Sequence, residues 1–207
     1  MKTIKEYKAI LKEVLTPGRY EHTLGVEYTA ACLAMRYGED LTRTRIAALL
    51  HDCAKCIPAK DQLSQCRDYE IPISPVEEAN PNLLHAKLGA WYARESYDID
   101  DPEILSAIYY HTTGKPDMTL LEKIIYIADY LEPNRNKAAN LDQVRKEAFL
   151  DLDQCLLIIL ESTVSYLNSR DMMIDPMTEE TRQFYRKMLL PKRLENADSR
   201  IGGKIYP

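Results

Sequence analysis

A chain of 207 residues, 45% of them hydrophobic, can bury one sizeable core, and a single domain is the simplest organisation. Its net charge of −5, from 27 basic and 32 acidic residues with no basic tract, argues against a nucleic-acid polymer as partner and makes any anionic substrate depend on a metal and a few placed cations. The segment Met1–Glu6 leads into a charged amphipathic helix rather than a signal peptide, and the longest apolar run, Cys155–Leu160, is far too short to span a membrane; both predict a cytoplasmic protein without a membrane partner.

Nearly every stretch carries helical periodicity. Thr3 to Leu15 place Ile4, Tyr7, Leu11, Val14 and Leu15 at helical spacing. Thr16-Pro17-Gly18 breaks that run, and a second helix is expected from about Tyr20 to Tyr37, with Leu24, Tyr28, Ala31 and Met35 on one stripe and Gly38 as its stop. Thr42 is placed to cap a third helix, which ends in the doublet His51-Asp52. Pro58 opens a less regular section: a short helix from Ala59 to about Tyr69, then a loop enforced by Pro72, Pro75 and Pro81. A helix from Asn82 through Tyr92 follows, and Gly89, one turn after His85, suggests a close helix approach because glycine weakens a helix.

Asp101-Pro102-Glu103 starts the next helix with a cap, a proline at the first position and an acid in the first turn; it ends at Tyr110-His111-Thr112-Thr113-Gly114. Thr119 and Glu122 have capping-box spacing ahead of a helix from Lys123 to Leu131, which carries Asp129 and is stopped by Pro133. Residues 134–140 are polar, Leu141 to Asn168 reads as one helix, Thr178 to Leu189 as the last, and Arg193 to Pro207 as a loose polar tail. No repeat and no convincing hairpin stands out. The fold class is all-α, in one domain over residues 1–190 with a polar C-terminal tail at 191–207.

The chemistry-bearing stretch is Ile46-Ala47-Ala48-Leu49-Leu50-His51-Asp52-Cys53-Ala54-Lys55. Neighbouring helical residues point about 100° apart, so His51 and Asp52 can share one cation, and imidazole with carboxylate suits iron, manganese or zinc better than calcium. Lys55, one turn on, is expected on the same helix face, where a phosphate would meet both metal and ammonium. The other histidines, His22, His85 and His111, each read singly as a half-buried polar group; together with Asp129 they could converge, as metal sites in helical folds do. Five cysteines (Cys32, Cys53, Cys56, Cys66 and Cys155) are an odd number and suggest no disulfide framework. Cys53 and Cys56 have C-x-x-C spacing without a second pair or a strand-to-helix context, so they read as incidental thiols.

The order His22 … His51-Asp52 … Asp129 resembles the H…HD…D signature of the HD-domain phosphohydrolase superfamily. Five segments in order narrow the resemblance to the bacterial YqeK family: Arg19-Tyr20-Glu21-His22-Thr23-Leu24-Gly25-Val26, Leu49-Leu50-His51-Asp52-Cys53-Ala54-Lys55, His85-Ala86-Lys87-Leu88-Gly89-Ala90, His111-Thr112-Thr113-Gly114 and Tyr126-Ile127-Ala128-Asp129-Tyr130-Leu131-Glu132-Pro133-Asn134-Arg135. It covers about residues 1–190; Cys53, Cys56 and the tail match no motif position. The resemblance implies an HD-domain helical bundle with a metal site between helices. It further implies a symmetrical diadenosine tetraphosphatase, splitting this dinucleotide into two ADP, and it is compatible with a homodimer.

Carried onto this sequence, the resemblance makes His22, His51, Asp52 and Asp129 the central metal ligands and iron the metal, with manganese or another divalent transition metal as alternatives. His85 and His111 would hold a second metal bridged by Asp52, bind phosphate, or protonate the leaving group; spacing leaves these open. Lys55, Arg135 and Arg19, with the hydroxyls and backbone N–H groups of Thr112, Thr113 and Gly114, are the candidates for substrate phosphate. A bound cation lowers the pKa of water and neutralises phosphoryl oxygens, which suits a highly anionic tetraphosphate. The competing readings are an HD phosphohydrolase of a deoxynucleotide, a cyclic nucleotide or a guanosine alarmone, an HD-type di-iron oxygenase, and a non-catalytic nucleotide-binding regulator. Lys55 and Arg135 favour a phosphate-bearing substrate over the oxygenase.

Overall fold

The computed structural model describes the backbone of residues 2–201 and the side chains of residues 2–190; residues 202–207, the end of the expected tail, lie outside the described residues. The described chain forms α1 (Ile4–Val14), α2 (Pro17–Tyr37), α3 (Leu41–Leu50), α4 (Ala59–Asp68), α5 (Pro75–Ala79), α6 (His85–Glu95), α7 (Pro102–Tyr110), α8 (Leu120–Leu131), α9 (Leu141–Glu147), α10 (Leu152–Ser169) and α11 (Pro176–Ile201), with a short 3₁₀ turn at Pro81–Leu84. No strand is formed among the described residues, so the fold is all-α as expected. No helix in them is long and apolar enough to cross a membrane.

The arrangement follows from α3. Its residues Ile46, Ala47, Ala48, Leu49 and Leu50 are at most 1% exposed, because α1, α2, α7 and α8 all pack against this short helix. Small and apolar side chains on every face of its C-terminal half let the neighbours close in, and a helix whose last turns are wrapped on all sides must end inside the protein. Its C-terminus therefore delivers His51 and Asp52 to the interior. Asp40, rather than Thr42, caps α3 by accepting the Arg43 N–H at 2.7 Å; Thr42 falls inside the first turn.

Several local expectations shift. Thr16-Pro17-Gly18 opens α2 instead of preceding it: the Thr16 hydroxyl caps the helix and Pro17 takes the first position, where a missing N–H costs nothing. That start carries Arg19 and His22 in the first two turns. The buried stripe of α2 runs through Thr23, Val26, Glu27, Ala30 and Leu33, while Tyr28 and Met35 of the expected stripe face outward. The rotation is possible because Glu27, though buried, accepts from Arg45 at 2.6 Å and pairs with Lys8 at 2.8 Å.

The proline-rich stretch is not all loop: Ser74 and Glu77 cap each other across α5, with Pro75 at its first position. Asn82 lies in the 3₁₀ turn, and α6 begins at His85 itself. Gly89 packs against the doublet, yet an added Cβ would meet the His51 carbonyl oxygen and Ile108 at 3.5 Å, ordinary contact that does not require glycine. Leu141 to Asn168 is two helices, since Asp151 accepts the Gln154 N–H at 3.0 Å and starts α10 afresh after α9. The last helix, α11, starts earlier and ends later than expected.

Candidate metal centre

Five helices meet around Asp52. His22 comes from the second turn of α2, His51 and Asp52 follow α3, His85 opens α6, His111 follows α7, and Asp129 sits in the last turn of α8. All four histidines and Asp52 are buried. His22 Nε2 lies 3.0 Å from Asp129 Oδ1 and 3.7 Å from Asp52 Oδ2, and His51 Nε2 lies 3.4 Å from that same Asp52 oxygen. The other oxygen, Oδ1, faces His85 Nε2 at 3.2 Å and His111 Nε2 at 3.5 Å. Asp52 thus has one histidine pair at each of its two oxygens.

Each ring is oriented from behind. Nδ1 of His51, His85 and His111 donates to the carbonyl three residues earlier, on Ala48, Asn82 and Ile108, at 2.6, 2.6 and 2.7 Å. Nδ1 of His22 donates to Glu132 Oε1 at 3.1 Å. With Nδ1–H committed to an acceptor, a neutral ring presents its lone pair at Nε2. Four such lone pairs therefore point toward two carboxylates, and those of His85 and His111 stand 3.1 Å apart. The buried Nε2 atoms of His22 and His51 find no hydrogen-bond partner. Donor atoms of His22, His51 and Asp129 lie within 4.8 Å of one another, as do those of His51, Asp52 and His111. Lone pairs and carboxylate oxygens packed this closely repel, and a cation among them relieves that repulsion. The donor set fits a divalent transition metal.

The electrostatics are those of imidazoles and carboxylates packed together, and they differ from ring to ring. Burial opposes the charge on Asp52, but the facing His51, His111 and His85 outweigh it and hold the carboxyl well below its ordinary range. Burial likewise opposes ionisation of Asp129, and His22 and His51 overcome it. His85 is pushed down to about 4, chiefly by burial, with His111 and Lys55 adding to the effect, so its ring is neutral near pH 7, as a ligand must be. His51 is shifted upward although burial opposes it, because Asp52 and Asp129 attract the ring's charge.

A cavity of about 610 Å³ opens onto this centre, lined by Arg19, His22, His111, Thr112, Asp129 and Arg135 among others. Arg19 does not pair with Glu21; it donates to Asp52 Oδ2 at 2.6 Å, and Arg135 donates to Asp129 Oδ1 at 2.7 Å. Two arginines thus stand at the cavity wall beside the expected ligands.

Three expectations for the substrate contacts change. Residues 51–56 form turns, so Lys55 does not share a helix face with the doublet. Its Nζ instead lies 3.2 Å from both ring nitrogens of His85, off the cavity wall, and burial pushes its pKa down. Thr113 and Gly114 turn away from the cavity: Gly114 has φ +66, Thr113 donates to the Gly114 carbonyl, and a Cβ on Gly114 would run into Thr181 of α11. Only Thr112 of that trio reaches the cavity.

Glu132 was not among the sequence candidates. It is 1% exposed, orients His22 with one oxygen, and accepts the Asn134 N–H at 2.7 Å with the other. Gly25, one turn after His22, leaves room for that carboxylate; a Cβ there would collide with it. The available signal was an acid placed one turn beyond Asp129, on the same side of α8.

An all-α fold whose helix ends gather histidines and aspartates beneath a cavity walled by two arginines defines a protein of the His-Asp class. The HD domain profile matches residues 19–134, and with the relatives below this shows that the chain belongs to the HD-domain family, in its YqeK branch. It is 42% identical to the symmetrical bis(5′-nucleosyl)-tetraphosphatase of Bacillus subtilis over 84% of this chain and 92% of that protein. The enzyme of the same name from Halalkalibacterium halodurans is 39% identical, over 89% of this chain and 96% of that one. A crystal structure from Clostridium acetobutylicum, described as a "predicted HD superfamily hydrolase involved in NAD metabolism", superposes with a TM-score of 0.87 at 38% identity, covering 91% of this chain and 99% of that chain.

Proposed function

We propose that the protein is a metal-dependent hydrolase that splits diadenosine tetraphosphate symmetrically into two ADP. The observation that carries this reading is the convergence of four histidine Nε2 atoms on Asp52 and Asp129 at the floor of an arginine-lined cavity. The activity named for relatives at 42% and 39% identity supplies the substrate.

In this reading His22, His51, Asp52 and Asp129 hold a divalent transition metal, iron first and manganese or another as alternatives. A metal there supplies Lewis acidity, which makes water a nucleophile near neutral pH and draws charge from phosphoryl oxygens. Asp52 turns Oδ2 toward His22 and His51 and Oδ1 toward His85 and His111, so the latter two with Asp52 would be able to hold a second metal, which would add further Lewis acidity. Arg19 and Arg135 have guanidinium donors beyond those already engaged, and these bind phosphoryl oxygens; the Thr112 hydroxyl donates to another. Lys55 acts through His85, with its amine against both ring nitrogens. The protein is further read as a cytoplasmic single-domain enzyme over residues 1–190, and as a homodimer, which sedimentation would test.

Incubating the metal-loaded protein with a panel of nucleotides and identifying the products tests the proposal. Diadenosine tetraphosphate should yield ADP alone, and Asp52→Ala should yield nothing. Preferred turnover of a deoxynucleotide, a cyclic nucleotide or a guanosine alarmone would overturn the substrate assignment.

A further inference from the structure

A cut in the middle of a symmetrical dinucleotide leaves one nucleoside diphosphate on either side of the scissile P–O–P bridge, so an enzyme that makes this cut must offer two nucleotide-sized spaces. The cavity over the metal centre, about 610 Å³, is the size of one ligand site. Past shared walls at Tyr130, Lys137, Ala138 and Thr163 it continues into a second space of about 1010 Å³, between the 134–140 segment and α10. We propose that this second space is the subsite for the distal adenosine of the dinucleotide; the inference rests on the function proposed above.

The wall formed by α10 is built for such a ligand. The helix changes character along its length: Cys155, Leu156, Ile159, Leu160 and Val164 are buried in the core, whereas its C-terminal half turns Ser162, Ser165, Tyr166, Ser169 and Arg170 to the groove. Tyr166 is 57% exposed, and the Arg170 guanidinium lies 5.8 Å from its ring centroid. A purine needs a flat π surface and nearby donors and acceptors, and this stretch offers an aromatic face, a cation and several hydroxyls. The floor is preformed: the Tyr130 hydroxyl donates to Asn140 Oδ1 at 2.8 Å, and Asn140 Nδ2 donates to Ser162 Oγ at 2.8 Å, clamping the 134–140 segment to α10. Lys137 stands at the junction of the two spaces, where a tetraphosphate bridge would pass.

Steady-state kinetics of the full metal-loaded chain on diadenosine tetraphosphate and on adenosine 5′-tetraphosphate, which has one nucleoside, test the assignment. Wild type should show the lower KM for the dinucleotide. Tyr166→Ala should raise that KM ~10-fold with kcat nearly unchanged, the size of a lost base–aromatic stack, and should erase the KM difference between the two substrates. Tyr166→Phe keeps the ring and should keep the wild-type difference, which separates stacking from a folding defect. A Tyr166→Ala protein that retains the wild-type difference overturns the subsite while leaving the cleavage reaction intact. A wild type that splits no dinucleotide overturns the function proposal and the subsite together.

Discussion

His51, His85 and His111 are held in place differently from His22. The first three sit at a helix end or start, and each leans on the backbone carbonyl three residues earlier, so a few local residues fix the ring and its tautomer. His22 leans on the side chain of Glu132, 110 residues away in the chain, across the packing of α2 against α8. Three rings are therefore pre-aimed by local helix geometry, and the fourth is aimed only once the core has assembled. The difference makes His22 the one histidine whose orientation can be removed without touching either the histidine or the backbone.

The largest effect that sharpens this contrast comes from the centre itself. His51→Ala and Asp52→Ala should lose both metal content and activity, as measured by elemental analysis and product formation, because coordination and water activation depend on the same groups. Arg135→Ala and Arg19→Ala should keep their metal and lose ~10²–10³ in kcat/KM, if their donors strengthen on phosphoryl oxygens in the transition state. Lys55→Ala should cost less than either, since its amine lies against His85 rather than on the cavity wall.

The contrast is tested most sharply by Glu132→Ala, which should weaken metal affinity ~10–100-fold, the usual range for partners that orient a ligand, with little change in fold. Competition with a chelator would measure it, and wild-type affinity would show that His22 needs no partner. Gly25→Ala should act in the same direction and more weakly, by displacing the Glu132 carboxylate. Thr113→Ala should leave kcat and KM near wild type, because its hydroxyl is turned to the Gly114 carbonyl.

What the sequence makes legible is local. Helical periodicity, proline and capping patterns reveal an all-α chain, because amphipathic spacing and cap chemistry act within a few residues. The His51-Asp52 doublet stands out because it ends the unbroken apolar run Ile46–Leu50, which is wrapped on every side. Glu132 does not stand out: its role depends on which turn of α2 crosses α8 and on the missing side chain of Gly25. The turn at residues 112–114 looks equally polar throughout, and only the folded turn separates Thr112, which lines the cavity, from Thr113, whose hydroxyl donates to the Gly114 carbonyl. The break between α9 and α10 escapes the periodicity because Phe149 and Leu150 continue an apolar pattern while standing exposed. Likewise the rotated face of α2 depends on Lys8 and Arg45, which neutralise a buried Glu27 from two other segments.

Hydrolysis of diadenosine tetraphosphate by the metal-loaded protein in oxygen-18 water, followed by mass spectrometry of the products, tests the central claim most directly. Attack of water on an inner phosphorus at the centre around Asp52 predicts two ADP, one of them carrying a single label on its terminal phosphate. Labelled AMP or ATP, or no cleavage at all, would contradict it.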